Sequence, residues 1–254
     1  MIRKSVLITG AAGRIGFATA QALAKLGYDV ILCDVNKQTL DQAKDQIRSQ
    51  TNIECHAVLG DASCSEGITE LINESLNYFP KISSAVHCAY PHSQTWGASI
   101  HDLNQKSLFL DLQSQLGGAI LFSQQIIKHF LASGGGSLIH VSSIQGIAAP
   151  KFSHYEGTTM HSPIEYSAIK AGIISITKWL ARYFAGNNIR VNVVSPGGII
   201  ESQPEIFLDK YRNSCTNIGM LESSHVSDAI AFLLSDAASA INGHNLIVDD
   251  GWSL

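Results

Sequence analysis

The chain has 254 residues, 45% hydrophobic and 15% charged, with a formal net charge of −4 and a mean hydropathy of +0.12. That length suits one α/β domain with a substantial core, and so apolar a composition excludes a disordered chain and fits a parallel sheet buried on both faces. A slightly acidic balance gives no electrostatic case for a polyanionic partner such as nucleic acid, and a small-molecule ligand is expected instead.

Five cysteines, Cys33, Cys55, Cys64, Cys88 and Cys215, form no CxxC pair and fall mostly in apolar runs, the pattern of reduced, buried thiols. Ten histidines invite a metal site, but no two share a helix at ligand spacing with a third partner, and His56, His87 and His140 fall within strands, so no metal is expected. MIRKSVLITG runs straight into a strand and no apolar run reaches membrane-spanning length; the expectation is a cytoplasmic chain without export signal or anchor.

The first predicted strand, SVLIT (5–9), is followed by TGAAGRIG and the amphipathic RIGFATAQALAKLG. Gly10, Gly13 and Gly16 allow a tight turn, close approach to a pyrophosphate and packing of helix on sheet, while the helix N-terminus favours an anion. An ordinary flexible turn is the alternative. The second strand, DVILC (29–33), runs into Asp34, eighteen residues past Gly16, where a carboxylate accepts hydrogen bonds from an adenosine ribose diol and repels a 2′-phosphate. The third, IECHAV (53–58), leads to LGDAS, whose Asp61 and Ala62 are placed to meet an adenine edge; either acid could instead cap the helix that follows it. Arg14, inside the glycine turn, could partly offset Asp34 by attracting a phosphate, so NAD is preferred and NADP stays open.

SSAVHCA (83–89) is the fourth strand, and GSLIHVS (136–142) the fifth. At the end of the fifth, Ser143 is better placed than Ser142 to hydrogen-bond a carbonyl oxygen, with a turn cap as its alternative role. About twenty residues then separate this strand from the next helix, where such loops usually run about two to six. In YSAIK, Tyr166 and Lys170 lie four apart on one helix face, and an adjacent ammonium favours the phenolate of a group whose usual pKa is about 10. Tyr155 has only Thr159 at that spacing. An isolated YxxxK is commonly a chance neighbour pair, so the combination with Ser143 carries the weight. IRVNVVS (189–195) precedes a second long excursion, and NLIVD (245–249) closes the series. Strand alternating with helix implies a doubly wound parallel sheet in three layers, one domain over residues 1–254, with excursions near 146–165 and 198–224 at strand carboxyl ends.

TGAAGRIG, Asp34, HVSSIQG, YSAIK, RVNVVSPGGI and INGHNLIVDDGWSL, in order from Val6 to Gly251, together resemble the short-chain dehydrogenase/reductase family in its branch of about 250 residues. The resemblance implies a Rossmann-type fold, a nicotinamide cofactor held in part by Gly10, Gly13, Arg14, Ile15 and Gly16, and a catalytic group of Ser143, Tyr166 and Lys170. It also implies that Lys170 meets the nicotinamide ribose, that Pro196, Gly197 and Ile199 line the nicotinamide with the Ile199 backbone near its carboxamide, and that the chain forms a homo-tetramer or dimer.

Four departures qualify it. The TGxxGxxG spacing is usual in the longer branch of the family. HCAYPH replaces the usual Asn-Ala-Gly turn, leaving Ala89 under the cofactor and Tyr90 and His92 within reach of the substrate. Gln115 aligns with the helix asparagine that holds a relay water, and Glu201 or Ser202 takes the place of a threonine. The insertion, HCAYPH and DDGWSL resemble a narrower subgroup, the dehydrogenases of flagellin-glycan and legionaminic-acid pathways, which implies an aminosugar or sugar-phosphate substrate. The expected activity is interconversion of a secondary alcohol and a ketone on a polar sugar derivative; a non-catalytic nucleotide-binding subunit, or an epimerase or dehydratase using NAD transiently, are the alternatives. His154, Tyr155, Glu156 and His161 make the insertion either a polar wall over the substrate or a surface loop that stabilises an oligomer.

Overall fold

The computed structural model describes residues 3–254. Alternation along the first strand sets the architecture. In β1 (Ser5–Thr9), buried throughout, Val6 and Ile8 enter one apolar layer and Leu7 the other. The first layer is closed by Leu23 of α1 (Arg14–Lys25) and Ile230 of α8 (Ser223–Leu234), the second by Leu71 of α3 (Ser65–Tyr78) and Phe122 of α5 (Gly118–Ser133). Apolar residues on both faces of one strand need helices on both sides, and the three-layer doubly wound fold follows.

With β2 (Asp29–Asp34), β3 (Cys55–Leu59), β4 (Ser84–His87), β5 (Gly136–Val141), β6 (Ile189–Pro196) and β7 (Asn245–Val248), the sheet is seven-stranded and parallel in the order β3-β2-β1-β4-β5-β6-β7. Strand order reverses between β1 and β4, and their carboxyl ends form the crevice where such sheets take ligands. β3 starts two residues later than its pattern suggested. β4 ends at His87 instead of 89, because after Cys88 N donates to Thr9 O (3.1 Å) the chain leaves the ladder and turns under Gly10.

The long helix before β5 is not uniform: α4 (Gln105–Asp111) passes through a π-helical turn at Leu112–Gly117 before α5 begins. The second excursion carries a helix, α7 (Glu205–Arg212), which no sequence signal had set apart. The two excursions clasp each other. Lys210 Nζ donates to Ser153 O (2.9 Å) and Glu156 O (2.8 Å), His154 Nε2 pairs with Ser214 Oγ (2.9 Å), and the Tyr155 and Phe207 rings meet edge to face at 5.2 Å. Beneath them, Asp250 accepts from Asn217 N (3.0 Å), Gly219 N (2.8 Å) and Thr216 Oγ1 (2.9 Å), which fixes the far end of the second excursion. Among the described residues no helix is long and apolar enough to cross a membrane.

Candidate active site

Two cavities meet at the strand-order reversal. One, of about 450 Å³, is lined by Ser143, Tyr166, Lys170, Ile15, Pro196, Gly197 and Ile199. The other, of about 380 Å³, is lined by Asp34, Asp61, Ala62 and Ala89. Gly10, Gly13, Cys88 and Tyr90 line both, so the two form one slot from the end of β2 to the end of β5. Gly10 has φ +63°, and a Cβ there would lie 2.7 Å from Cys88 O and 2.8 Å from Ala89 N. Glycine is what lets the first turn lie against the end of β4. α1 starts at Gly13 without a side-chain cap, which leaves N–H groups of its first turn free for an anion.

At the β2 end, Asp34 Oδ2 accepts from Ala12 N (3.0 Å) and Oδ1 from Asn36 N (3.2 Å), which hold the carboxylate at the cavity edge with lone pairs to spare. Asp61 lines the same cavity but also closes a local turn, its Oδ1 accepting from Ser63 N (2.8 Å). Arg14 does not turn toward Asp34. Its Nη1 donates to Ile200 O (2.9 Å) and its guanidinium pairs with Glu201, so Arg14 and Glu201 line the other cavity and Arg14 makes no contact with Asp34.

At the β5 end, the insertion does not separate the serine from the tyrosine, although 23 positions lie between them. Ser142 Oγ donates to Lys170 O (2.8 Å), tying the strand end to α6 (Ile164–Tyr183). A Cβ on Gly146 would sit 2.7 Å from Lys170 C and 2.9 Å from Ala171 N, so the short turn after Ser143 lies directly on the α6 backbone. Ser143 also caps that turn, its Oγ accepting from Gln145 N (3.2 Å).

Burial pushes the Tyr166 phenol above its ordinary value, and a hydrogen bond with Ser143 pulls it partly back. The acidification expected from Lys170 does not outweigh this. Lys170 Nζ donates to Val141 O (3.2 Å), lies 5.4 Å from the centre of the Tyr166 ring, and is itself brought down to about 8 by burial. The same ammonium is 5.1 Å from the Tyr90 ring, which meets the Tyr166 ring edge to face at 5.9 Å. Trp96, which does not line the cavity, packs edge to face on both rings, 5.5 Å from Tyr90 and 6.0 Å from Tyr166. His92 is not in the cavity either: it stacks behind on Trp96 at 6.4 Å. His87 and His140 are core histidines kept neutral by burial, bonded to Thr9 Oγ1 (2.8 Å) and Ser123 Oγ (3.0 Å).

Gln115 lies in the π-helical turn, 3% exposed, with neither Nε2 nor Oε1 partnered. From the insertion, Tyr155 reaches the cavity and receives Gln145 Nε2 (3.4 Å), while Gln145 Oε1 accepts from Ser162 Oγ (2.7 Å). His154 lines the cavity but is buried and committed to Ser214. Glu156 and His161 do not line it, and Glu156 instead faces Lys210 at 3.8 Å. Sequence reasoning missed Lys151, Tyr211 and Trp252, which also line the cavity; they come from the first excursion, the second excursion and the carboxyl-terminal segment, and no local pattern joins them.

The seven-stranded parallel sheet with its glycine turn is that of a dehydrogenase fold, and the chain belongs to the short-chain dehydrogenase/reductase family of oxidoreductases. Residues 10–253 match the family model described as enoyl-(acyl carrier protein) reductase. The chain is similar, at 37% identity over 252 residues covering 99% of it and 98% of the relative, to post-translational flagellin modification protein A of Campylobacter coli. It is 29% identical over 260 residues, covering 99% and 95%, to the 7alpha-hydroxysteroid dehydrogenase of Bacteroides fragilis. A crystal structure of a short-chain dehydrogenase from Leptospira borgpetersenii with bound NAD+ superposes with a TM-score of 0.85 at 26% identity, covering 99% of this chain and 93% of that one.

Proposed function

We propose that the protein is an NAD-dependent dehydrogenase that interconverts a secondary alcohol and a ketone on a sugar-derived substrate in glycan or nonulosonic-acid biosynthesis. The observation that carries this reading is the single slot joining Asp34 at one end to Ser143, Tyr166 and Lys170 at the other. Its two joined cavities, the uncapped start of α1 and the tight Gly10 turn fit a dinucleotide. Asp34 with Arg14 turned away supports NAD over NADP, since nothing beside Asp34 in that cavity offsets its charge against a 2′-phosphate. Asp61 and Ala62 would flank the adenine, and Ala89, Pro196, Gly197 and Ile199 the nicotinamide end.

The nicotinamide, when bound, supplies or accepts the hydride. The chain's own residues handle the proton and the oxygen. Ser143 Oγ holds the substrate oxygen, and Tyr166, neutral in the resting site, donates its proton to the oxygen of a ketone as it becomes an alkoxide. In the oxidising direction Tyr166 takes the hydroxyl proton, and the Lys170 charge favours the phenolate that does so. Gln115, with both ends of a buried amide unpartnered, fits a role in holding a relay water, because a buried polar group without a partner is costly. The polar groups of Gln145 and Tyr155 and the stacked Tyr211 and Trp252 rings (6.0 Å), all of which line the cavity, suit the hydroxyls and the apolar face of a sugar ring.

The flagellin-modification name of the Campylobacter coli relative supports a glycan pathway. Exposed Ile120 on α5 and stacked, exposed Trp179 and Tyr183 on α6 (4.7 Å) support association into a homo-oligomer. Free cysteines support a reducing, cytoplasmic setting. The test is Tyr166→Phe, assayed across a panel of sugar alcohols and keto sugars: turnover is lost while NADH still binds. Persistence of turnover would show the tyrosine assignment to be wrong.

A further inference from the structure

The cavity holds a positive charge that the chemistry above does not use. Lys151 Nζ donates to Trp252 O (3.0 Å) and lies 4.6 Å from the centre of the Trp252 ring. Both are neutral partners. An ammonium has three N–H donors, so these contacts fix its position and leave both its charge and a donor available to the cavity. Among the described residues Lys151 has no carboxylate within ion-pair distance.

The acids nearby are already engaged. Glu201, the carboxylate that lines this cavity, is paired with Arg14. Asp249 accepts from Gly251 N (3.0 Å) and Ser253 N (2.9 Å), and Asp250 faces away to cap the segment at 217–219. Lys210, the other lysine of this region, is turned to Ser153, Glu156 and the outer surface. The cavity thus contains two ammonium groups, Lys170 and Lys151, and no free carboxylate to balance them. A buried or half-buried charge without a counter-ion is retained where a ligand supplies one.

We infer that Lys151 binds an anionic substituent, a carboxylate or a phosphoryl group, carried by the substrate, and that this pairing selects charged sugar derivatives over neutral ones. The inference rests on the substrate reading above and deepens it. Lys151 takes no part in proton or hydride transfer; it anchors one end of a substrate whose carbinol is held by Ser143 and Tyr166, while the Trp252 carbonyl and ring keep its long side chain from the rotamer freedom that would weaken the grip.

The test is equilibrium binding by calorimetry to the full chain saturated with NADH, using glucose 6-phosphate, gluconate and glucose as probes. At least one anionic probe is expected to bind about tenfold or more tightly than glucose, as a charge-assisted hydrogen bond would give. Whether glucose 6-phosphate or gluconate shows the gain identifies the group as phosphoryl or carboxylate. Lys151→Gln keeps an N–H donor for Trp252 O but removes the charge, and should abolish the preference without changing glucose or NADH binding; Lys151→Arg should restore most of it. If the three probes bind alike, or if the preference survives in Lys151→Gln, the inference is overturned. A fall in melting temperature in Lys151→Gln with the preference intact would likewise overturn it and leave Lys151 as a tether for Trp252. Binding is read without turnover, so a chain that selects anions yet oxidises nothing would refute the catalytic reading and leave this one standing.

Discussion

Adding one methyl group at Gly146 tests how the site tolerates an insertion between its serine and its tyrosine. The Cβ of Gly146→Ala would meet Lys170 C at 2.7 Å, and that atom must move about 0.7 Å to reach the 3.4 Å of ordinary contact. Both partners are backbone, so no side chain can rotate away. Either α6 shifts, carrying Tyr166 and Lys170, or the turn shifts, carrying Ser143. Overpacking of this kind costs about 1–3 kcal/mol, which for a chain of this size lowers the melting temperature by several degrees, at about 2–4 °C per kcal/mol. Misplacement by about 1 Å can cost about a hundredfold in rate, so kcat should fall by roughly ten- to a hundredfold. NADH affinity should barely change, because Asp34 and the glycine turn lie at the other end of the slot. Steady-state kinetics on an accepted sugar substrate, a thermal melt and NADH titration together decide it. A lowered melting temperature with wild-type kcat would refute the claim that this contact sets the distance between Ser143 and Tyr166.

Replacing Tyr90 by Leu removes a ring from beside the Lys170 ammonium. Such contacts contribute about 0.5–2 kcal/mol, so the alkaline limb of kcat/KM, governed by a lysine that burial brings down to about 8, should move to lower pH by about 0.4 to 1.5 units. Tyr90→Phe should leave it in place, and a limb unmoved in both variants would exclude the ring as a support for the charge. Asp34→Asn keeps the size of the side chain and much of the hydrogen bonding to Ala12 and Asn36 but loses the charge; the ratio of NAD to NADP efficiency should fall by about tenfold or more. An unchanged ratio would mean that the cofactor's ribose does not sit at Asp34.

What could be read from the sequence was whatever is carried by short spacings. The alternation in SVLIT already places Val6 and Ile8 against Leu7, and the four-residue step from Tyr166 to Lys170 is a helical turn. Ser143 was legible because a strand end fixes which residue leaves the ladder first. The π-helical turn at Gln115 was not, since a π turn arises from a shift of backbone hydrogen bonds that the local residue types do not encode. Arg14 was placed in the right turn, but its partner could not be read: its long side chain crosses to Glu201, 187 positions away. His92 stays beside Tyr90, ring to ring at 6.1 Å, but only Tyr90 lines the cavity, because His92 packs on Trp96 as well. Lys151 and Trp252 meet only through the fold, 101 residues apart.

The clasp between the two excursions bears on how enzymes of this build can be recombined. Lys210 holds the backbone at Ser153 and Glu156, His154 holds Ser214, and Tyr155 packs on Phe207. Neither segment owns its share of the cavity wall, because each supplies the other's packing partner and hydrogen-bond acceptors. A chimera that exchanges residues 146–165 alone would leave Lys210 and Ser214 facing groups of the wrong shape; exchanging 146–165 and 198–224 together keeps these contacts, provided the segment with Asp250 and Trp252, which both loops lean on, travels with them. The two loops, distant in the sequence, are therefore one unit of packing, and a change in either is felt by both.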